Sequence, residues 1–323
     1  MAVSEGLTRR WRPGRPVDLG QNVGSLRRGA GDPTHRVLGV GAAGRRYLRA
    51  SRTPAGPVLL SLVAVNGEVV ATAWGDGADW ALDQLPRLLG ADDDLTGFEP
   101  RPEHGPLVGA VRARAHLRIG ATDLVLESLA PACIEQVVTG REAFLAYGLL
   151  VRKFGECAPG PARERTSPAW GMFVPPTPRA WATIPSWEFL AAGVEQRRSR
   201  TLVRAAARPT ALERTLRLPA GQADAALRSL PGVGPWTSAE VRQRAHGDAD
   251  AWSIGDYHVG DQITYALLGE KLGDEVALEL LEPYRGHRFR VQVLLLGHAP
   301  GPPRRGPRMT LPTHTPRATR GRS

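Results

Sequence analysis

Leu230-Pro231-Gly232-Val233-Gly234-Pro235-Trp236-Thr237, with Asp256-Tyr257 beginning 20 positions after Trp236, is the stretch that decides the fold. Upstream, Ala223, Ala226, Leu227 and Leu230 repeat at helical spacing in an Ala/Leu-rich run. Pro231 stops that helix, because it has no N–H and restricts the residue before it. Gly232 and Gly234 supply the backbone freedom that a tight turn needs. Pro235 suits the first turn of a second helix, predicted over 235–246. The N–H groups of Gly232, Gly234 and the new helix start form an anion site without side chains. Such a site suits a phosphate and reads no base.

Asp256 follows Ser253-Ile254-Gly255 and precedes a predicted helix over 257–269. Taken alone it has two readings. It caps that helix, or it is a carboxylate, ionised at pH 7, that stabilises positive charge developing on a reacting group. The two roles are compatible in one side chain.

Hairpin and spaced aspartate together resemble the helix-hairpin-helix of the HhH-GPD DNA glycosylase superfamily, whose hairpin reads LPGVG and whose catalytic Asp lies about this far downstream. Three flanking blocks are similar to the bacterial 3-methyladenine DNA glycosylase II group. These are Leu129–Gly140 (LAPACIEQVVTG), Gly193–Arg198 (GVEQRR) and Glu282–Arg288 (EPYRGHR). The resemblance runs from about residue 17 to 298. It implies a mainly α fold, an HhH-GPD bundle of two helical lobes with a cleft, preceded by a small α+β sheet domain.

The resemblance also implies an activity: hydrolysis of the N-glycosidic bond of a damaged, alkylated purine in duplex DNA, the first step of base excision repair. Asp256 then stabilises the oxocarbenium-like sugar after the base has flipped out. Lyase-competent relatives carry a lysine where Trp236 stands, and an indole offers no amine for a Schiff base. The expected enzyme is therefore monofunctional. Leu230, Pro231, Gly232, Val233, Gly234, Pro235 and Thr237 are expected on the DNA backbone, and Arg197 and Arg198 on phosphates. Gln136, Val137, Trp236, Tyr257, Trp187 and Tyr284 are the candidates for base pocket or wedge, Val137 being the plug that follows the Gln of the Glu-Gln pair. Trp236 is open between a wall against the base and core, and Val137 between plug and core.

The last helix lacks the Trp that faces the base in the best-known members, for Val291–Leu296 contains no aromatic residue. No cofactor is required. The resemblance does imply a monovalent cation, Na+ or K+, on the main-chain carbonyls of Arg228, Leu230 and Val233. Two cysteines, Cys133 and Cys157, cannot ligate a four-cysteine iron–sulfur cluster and do not form a disulfide framework. Two alternatives remain: a non-catalytic binder of damaged DNA that uses the hairpin as a clamp, and a glycosylase for deaminated or oxidised bases.

Composition agrees with a polyanionic partner. The 323 residues carry a formal charge of +10 and a pI near 10.6. No apolar run reaches membrane-spanning length, so the expected protein is a cytoplasmic, nucleoid-associated monomer on duplex DNA. Residues 1–16 read as a loose end, 17–105 as the α+β domain, 106–300 as the helical glycosylase domain, and 301–323 as a disordered basic tail. Val58–Val65, Asn66-Gly67 and Glu68–Trp74 signal a β-hairpin whose turn demands positive φ. Asp92, Asp93 and Asp94 read as a solvated loop. Further helices are predicted over 107–119, 123–139, 141–154, 178–184, 187–192, 196–207, 274–282 and 287–297.

Overall fold

A computed structural model of the chain describes residues 5–39 and 44–303. The expected basic tail from Arg304 onward lies outside the described residues. Near the amino terminus, five antiparallel strands form one sheet in the order β1-β5-β4-β3-β2. They are β1 (Leu7–Trp11), β2 (His35–Leu38), β3 (Arg46–Thr53), β4 (Gly56–Val65) and β5 (Glu68–Trp74). Asn66 and Gly67 both take positive φ, 52° and 76°, as a two-residue turn with the twist of its strands requires.

Strand β4 is buried on both faces, and its period of two divides its side chains between two cores. Val58, Leu60 and Leu62 pack with Ala78, Leu82 and Leu85 of the following helices. Leu59 packs on the other face with Ala158, Met172 and Val174.

The loose end expected over residues 1–16 is partly ordered, because β1 pairs with β5 along Leu7–Trp11. An edge strand needs only one apolar face, so its short polar pattern gives little signal in sequence. Asp93 is a second correction. It is buried rather than solvated, and both its oxygens bind Arg290 of the last helix at 2.6 and 2.7 Å. This bidentate pair anchors the end of the sheet domain to the helical bundle.

The helices bury two further cores. One gathers Val125–Ile134, Gly140–Phe154 and Gln196–Ala206 around Trp181 and Phe189. The other gathers Gly105–Ala113, Val259–Leu268, Gly273–Leu281 and Arg288–Leu296 around Trp252 and Tyr284. These are two helical lobes, with a cavity where they meet the amino-terminal segment. The helix Pro209–Glu213 was absent from the sequence-based expectations, being only 5 residues long.

Asp32, in the loop before β2, has a fully buried side chain. Burial pushes its carboxyl pKa up, but His35, the Arg28 N–H and the Thr34 hydroxyl together bring it down to about 2. A depressed carboxylate contributes stability that is present above its unfolded value near 3.9 and lost as pH falls through about 2. Asp32→Asn is therefore expected to cost about 2 kcal/mol at pH 7. In urea titrations the gap between variant and parent should narrow as pH falls from 4 towards 2. A gap independent of pH would refute the assignment.

Candidate active site

Helix Ala220–Arg228 ends one residue before the turn, and helix Pro235–Val241 starts directly after it. The Val233 N–H donates to the Leu230 carbonyl at 3.0 Å, closing a turn with Pro231 and Gly232 at its centre. Gly232 has φ +95°, the left-handed region that such a turn imposes on its third residue. The two glycines differ in kind. A Cβ on Gly232 would lie 2.0 Å from Thr201 Oγ1, whereas one on Gly234, at ordinary φ −92°, would meet nothing within 4 Å. Gly232 is required by the protein's own packing, and Gly234 only keeps its outer side bare.

The second hairpin helix continues into a π-helical turn, Arg242–His246, closed by Gly247 at φ 68°. Wide turns of this kind recur at functional sites. Here it carries Gln243 and Arg244, which with Glu240 face the cavity. Ser253 joins this helix to the loop bearing Asp256, donating to Glu240 Oε1 at 2.9 Å and accepting from Gln243 Nε2 at 2.7 Å. Asp274 holds the same loop from the other side by accepting the Gly255 N–H at 2.6 Å.

Asp256 uses its two oxygens differently. Oδ1 accepts the N–H groups of His258 and Val259 at 2.9 and 3.2 Å, capping the helix that begins there. Oδ2 accepts the indole N–H of Trp236 at 3.1 Å. Trp236 is half-buried, so it is neither plain core nor a free wall. It is a donor aimed at the carboxylate.

The carboxylate lines a cavity of about 300 Å³, the lower end of the size range of small-molecule sites. The carboxyl-terminal lobe contributes Val259, Phe289, Gln292 and Val293, and the hairpin helix contributes Glu240, Gln243 and Arg244. Gln21, Asn22, Ser25 and Leu26 from the amino-terminal segment form a third wall. Phe289 is the aromatic face of this lining, and the buried Gln292 Oε1 has no hydrogen-bond partner. Nearby, burial raises the pKa of Glu135; Arg28 and Arg244 oppose the shift, while Glu240 and Asp256 reinforce it. Arg244 is held charged by Glu240 and Glu135 against its own desolvation.

The loop 135–139 flanks the hairpin. The helix expected over 123–139 ends at Ile134, because Thr139 caps the next helix with a reciprocal Glu142 contact. Val137 between them is wholly exposed at 101% and adopts φ +55°. A β-branched residue in that region is strained, and it is held there by its surroundings. Gln136 is one restraint, for its Nε2 donates to the Gly232 carbonyl and to Thr237 Oγ1, both at 2.9 Å. Gln136 is thus a tether between loop and hairpin.

Four expected site residues sit elsewhere. Tyr284 is 2% exposed and bonded through its hydroxyl to His104 Nδ1 at 2.6 Å, in the core of the carboxyl-terminal lobe. It lines no part of the cavity, since its aromatic body is needed between Phe98 and His104. Arg198 is buried and donates to the carbonyls of Ile134 and Gly193 at 2.6 and 3.1 Å. Its guanidinium finishes the helix Val125–Ile134 and is not displayed to a phosphate; burial lowers its pKa. Arg197 is exposed, as are Tyr257 at 89% and Trp187 at 67%, and neither aromatic lines the cavity.

The sequence matches no family model and no curated protein. Solved structures do match. A 3-methyladenine DNA glycosylase from Archaeoglobus fulgidus aligns with TM-score 0.66 at 18% identity, over 89% of this chain and 96% of its own. The apo form of the Clostridium acetobutylicum 8-oxoguanine glycosylase/lyase aligns with TM-score 0.66 at 13% identity, over 93% and 100%. The chain has the helix-hairpin-helix DNA glycosylase fold. The Clostridium enzyme bound to double-stranded DNA with cytosine opposite 8-oxoguanine aligns with the same fold at TM-score 0.64 and 12% identity, over 91% and 97%.

Within this glycosylase fold, sequence reasoning missed Glu240, Arg244, Asp274 and the amino-terminal wall. The Glu240–Arg244 pair carries an i,i+4 signal beside the hairpin. Gln21 to Leu26 carry none, because only long-range packing brings them to the cavity.

Proposed function

We propose that this protein is a monofunctional DNA glycosylase that removes a damaged, alkylated purine from duplex DNA. The observation that carries the reading is the Trp236–Asp256 hydrogen bond at the cavity edge. A carboxylate oriented by an indole N–H and two backbone N–H groups is placed to stabilise positive charge on a deoxyribose whose base occupies the cavity. Water then attacks the sugar carbon as the bond to the base breaks, leaving an abasic site and the free base. A Schiff base is disfavoured because neither lysine lines the cavity, and Lys153 is engaged with Glu188.

The hairpin would hold the backbone through its N–H groups, and Val137, exposed and conformationally fixed, would fill the vacated stack. Phe289 would stack on the flipped base. The carbonyls of Arg228 and Val233 accept no backbone hydrogen bond among the described residues, and that of Leu230 accepts one. The set fits a Na+ or K+ ion, whose charge would strengthen the hairpin's hold on a phosphate.

The test is a panel of duplexes, each with one 3- or 7-alkylpurine, hypoxanthine, ethenoadenine, uracil or 8-oxoguanine. Abasic sites should accumulate with an alkylpurine, and borohydride should trap no covalent adduct. Trapping would overturn the hydrolytic mechanism, and release confined to 8-oxoguanine or a deaminated base would overturn the substrate class. Binding to damaged duplexes without any release would leave only a DNA clamp.

A further inference from the structure

We propose that Arg197, Arg200, Arg204 and Arg208 form a second phosphate track, continuing the hairpin's hold along the duplex. The inference rests on reading the hairpin as a duplex grip. All four are exposed, and all lie on or directly after the helix Gln196–Ala206. Arg197, Arg200 and Arg204 share one face of that helix at i, i+3 and i+7. Thr201, at the edge of the same face, abuts Gly232 of the hairpin, so track and hairpin are contiguous.

The amino-terminal end of the stripe is placed against the helix's own interests, whereas Arg204 lies in the last turn, where the dipole favours a cation. The first turn contains no acid, and Arg197 faces the positive end of the helix dipole. Like charges three and four residues apart destabilise a helix by about 0.2–0.5 kcal/mol per pair. Glu213 and Asp224, on the elements that follow, do not neutralise it. Glu213 turns inward to accept the N–H groups of Val125 and Leu126, and Asp224 serves Arg228, Arg242 and Ser238. Glu195, at the helix start, is an exposed acid beside Arg197. A solvated face needs no such bias, whereas a polyanion offsets its cost. The 11-residue helix is about 16 Å long, which matches the rise of about five base pairs.

The experiment measures affinity for undamaged duplexes by fluorescence anisotropy across a salt series. The variant Arg200→Gln/Arg204→Gln/Arg208→Gln is compared with the parent and with the corresponding triple Lys variant on a duplex of about 24 base pairs. The slope of log K against log salt should shrink by roughly 0.9 for each phosphate no longer neutralised, about 2 to 3 in all, in the Gln variant. The triple Lys variant should retain the parent slope. An unchanged slope in the Gln variant, or an equal loss of slope in the Lys variant, overturns the track, as does a preference for single-stranded RNA or an acidic peptide. Base release from the lesion panel is read separately: its absence with the slope change intact fails the glycosylase reading and leaves the track standing.

Discussion

Asp256→Asn is expected to lower base release by about 10²–10³-fold, the usual cost of removing one preorganised electrostatic group from a transition state. Binding of an undamaged duplex should stay within about threefold, because no charge on the hairpin changes. The substitution separates the two roles of this residue. Asparagine caps helices about as well as aspartate, and its Oδ1 can still accept the N–H groups of His258 and Val259. Thermal stability should fall by about 1–2 kcal/mol, because the cap is kept while the amide NH2 leaves the half-buried Trp236 N–H without an acceptor. Single-turnover base release and melting temperature, measured on one preparation, give both answers. Activity within tenfold of the parent would mean that Asp256 is a cap and nothing more.

Gly232→Ala should unfold the hairpin's support, at a cost of about 3 kcal/mol or more. Two terms add: a left-handed φ of +95° that alanine tolerates poorly, about 1–2 kcal/mol, and a Cβ placed 2.0 Å from Thr201 Oγ1. Thr201 cannot simply rotate away, since its Cγ2 and Cβ are each 3.1 Å from the same point. Adding Thr201→Ala should recover most of the steric part, since only the Cβ contact at 3.1 Å remains, but not the backbone part. Gly234→Ala should behave in the opposite way, leaving stability nearly unchanged and weakening duplex binding, because its open side is where a DNA backbone would approach. Urea titrations and anisotropy on both variants check the pair. Equal destabilisation by the two alanines would refute the distinction.

Local chemistry made the hairpin legible. Pro231 and Pro235 restrict the backbone wherever they occur and Gly232 frees it for the turn between them, so helix, turn and helix follow from about a dozen residues. Asn66-Gly67 did the same for the β4–β5 turn. Asp256 was legible as a cap from its neighbours and as a candidate acid from its distance to the hairpin. Val137 was harder. A valine in a helical pattern reads as core, and only the early end of the helix at Ile134 puts it outside.

Where local signals stop, the expectations departed from the structure. Arg198 and Arg197 are adjacent and identical in type, yet one finishes a helix inside the protein and the other faces solvent. Tyr284 belongs to a block that resembles glycosylases, but its ring is spent on packing with Phe98 and His104. The sequence by itself determined the elements that proline, glycine, capping and periodicity dictate: the hairpin, the two-residue β-turn, most helices and the candidate carboxylate. Tertiary structure alone decided the company that carboxylate keeps. The Trp236 N–H, the Asp274 restraint and the wall from Gln21 to Leu26 come from segments far apart in the chain, and close packing of whole lobes, with no local propensity, brings them together.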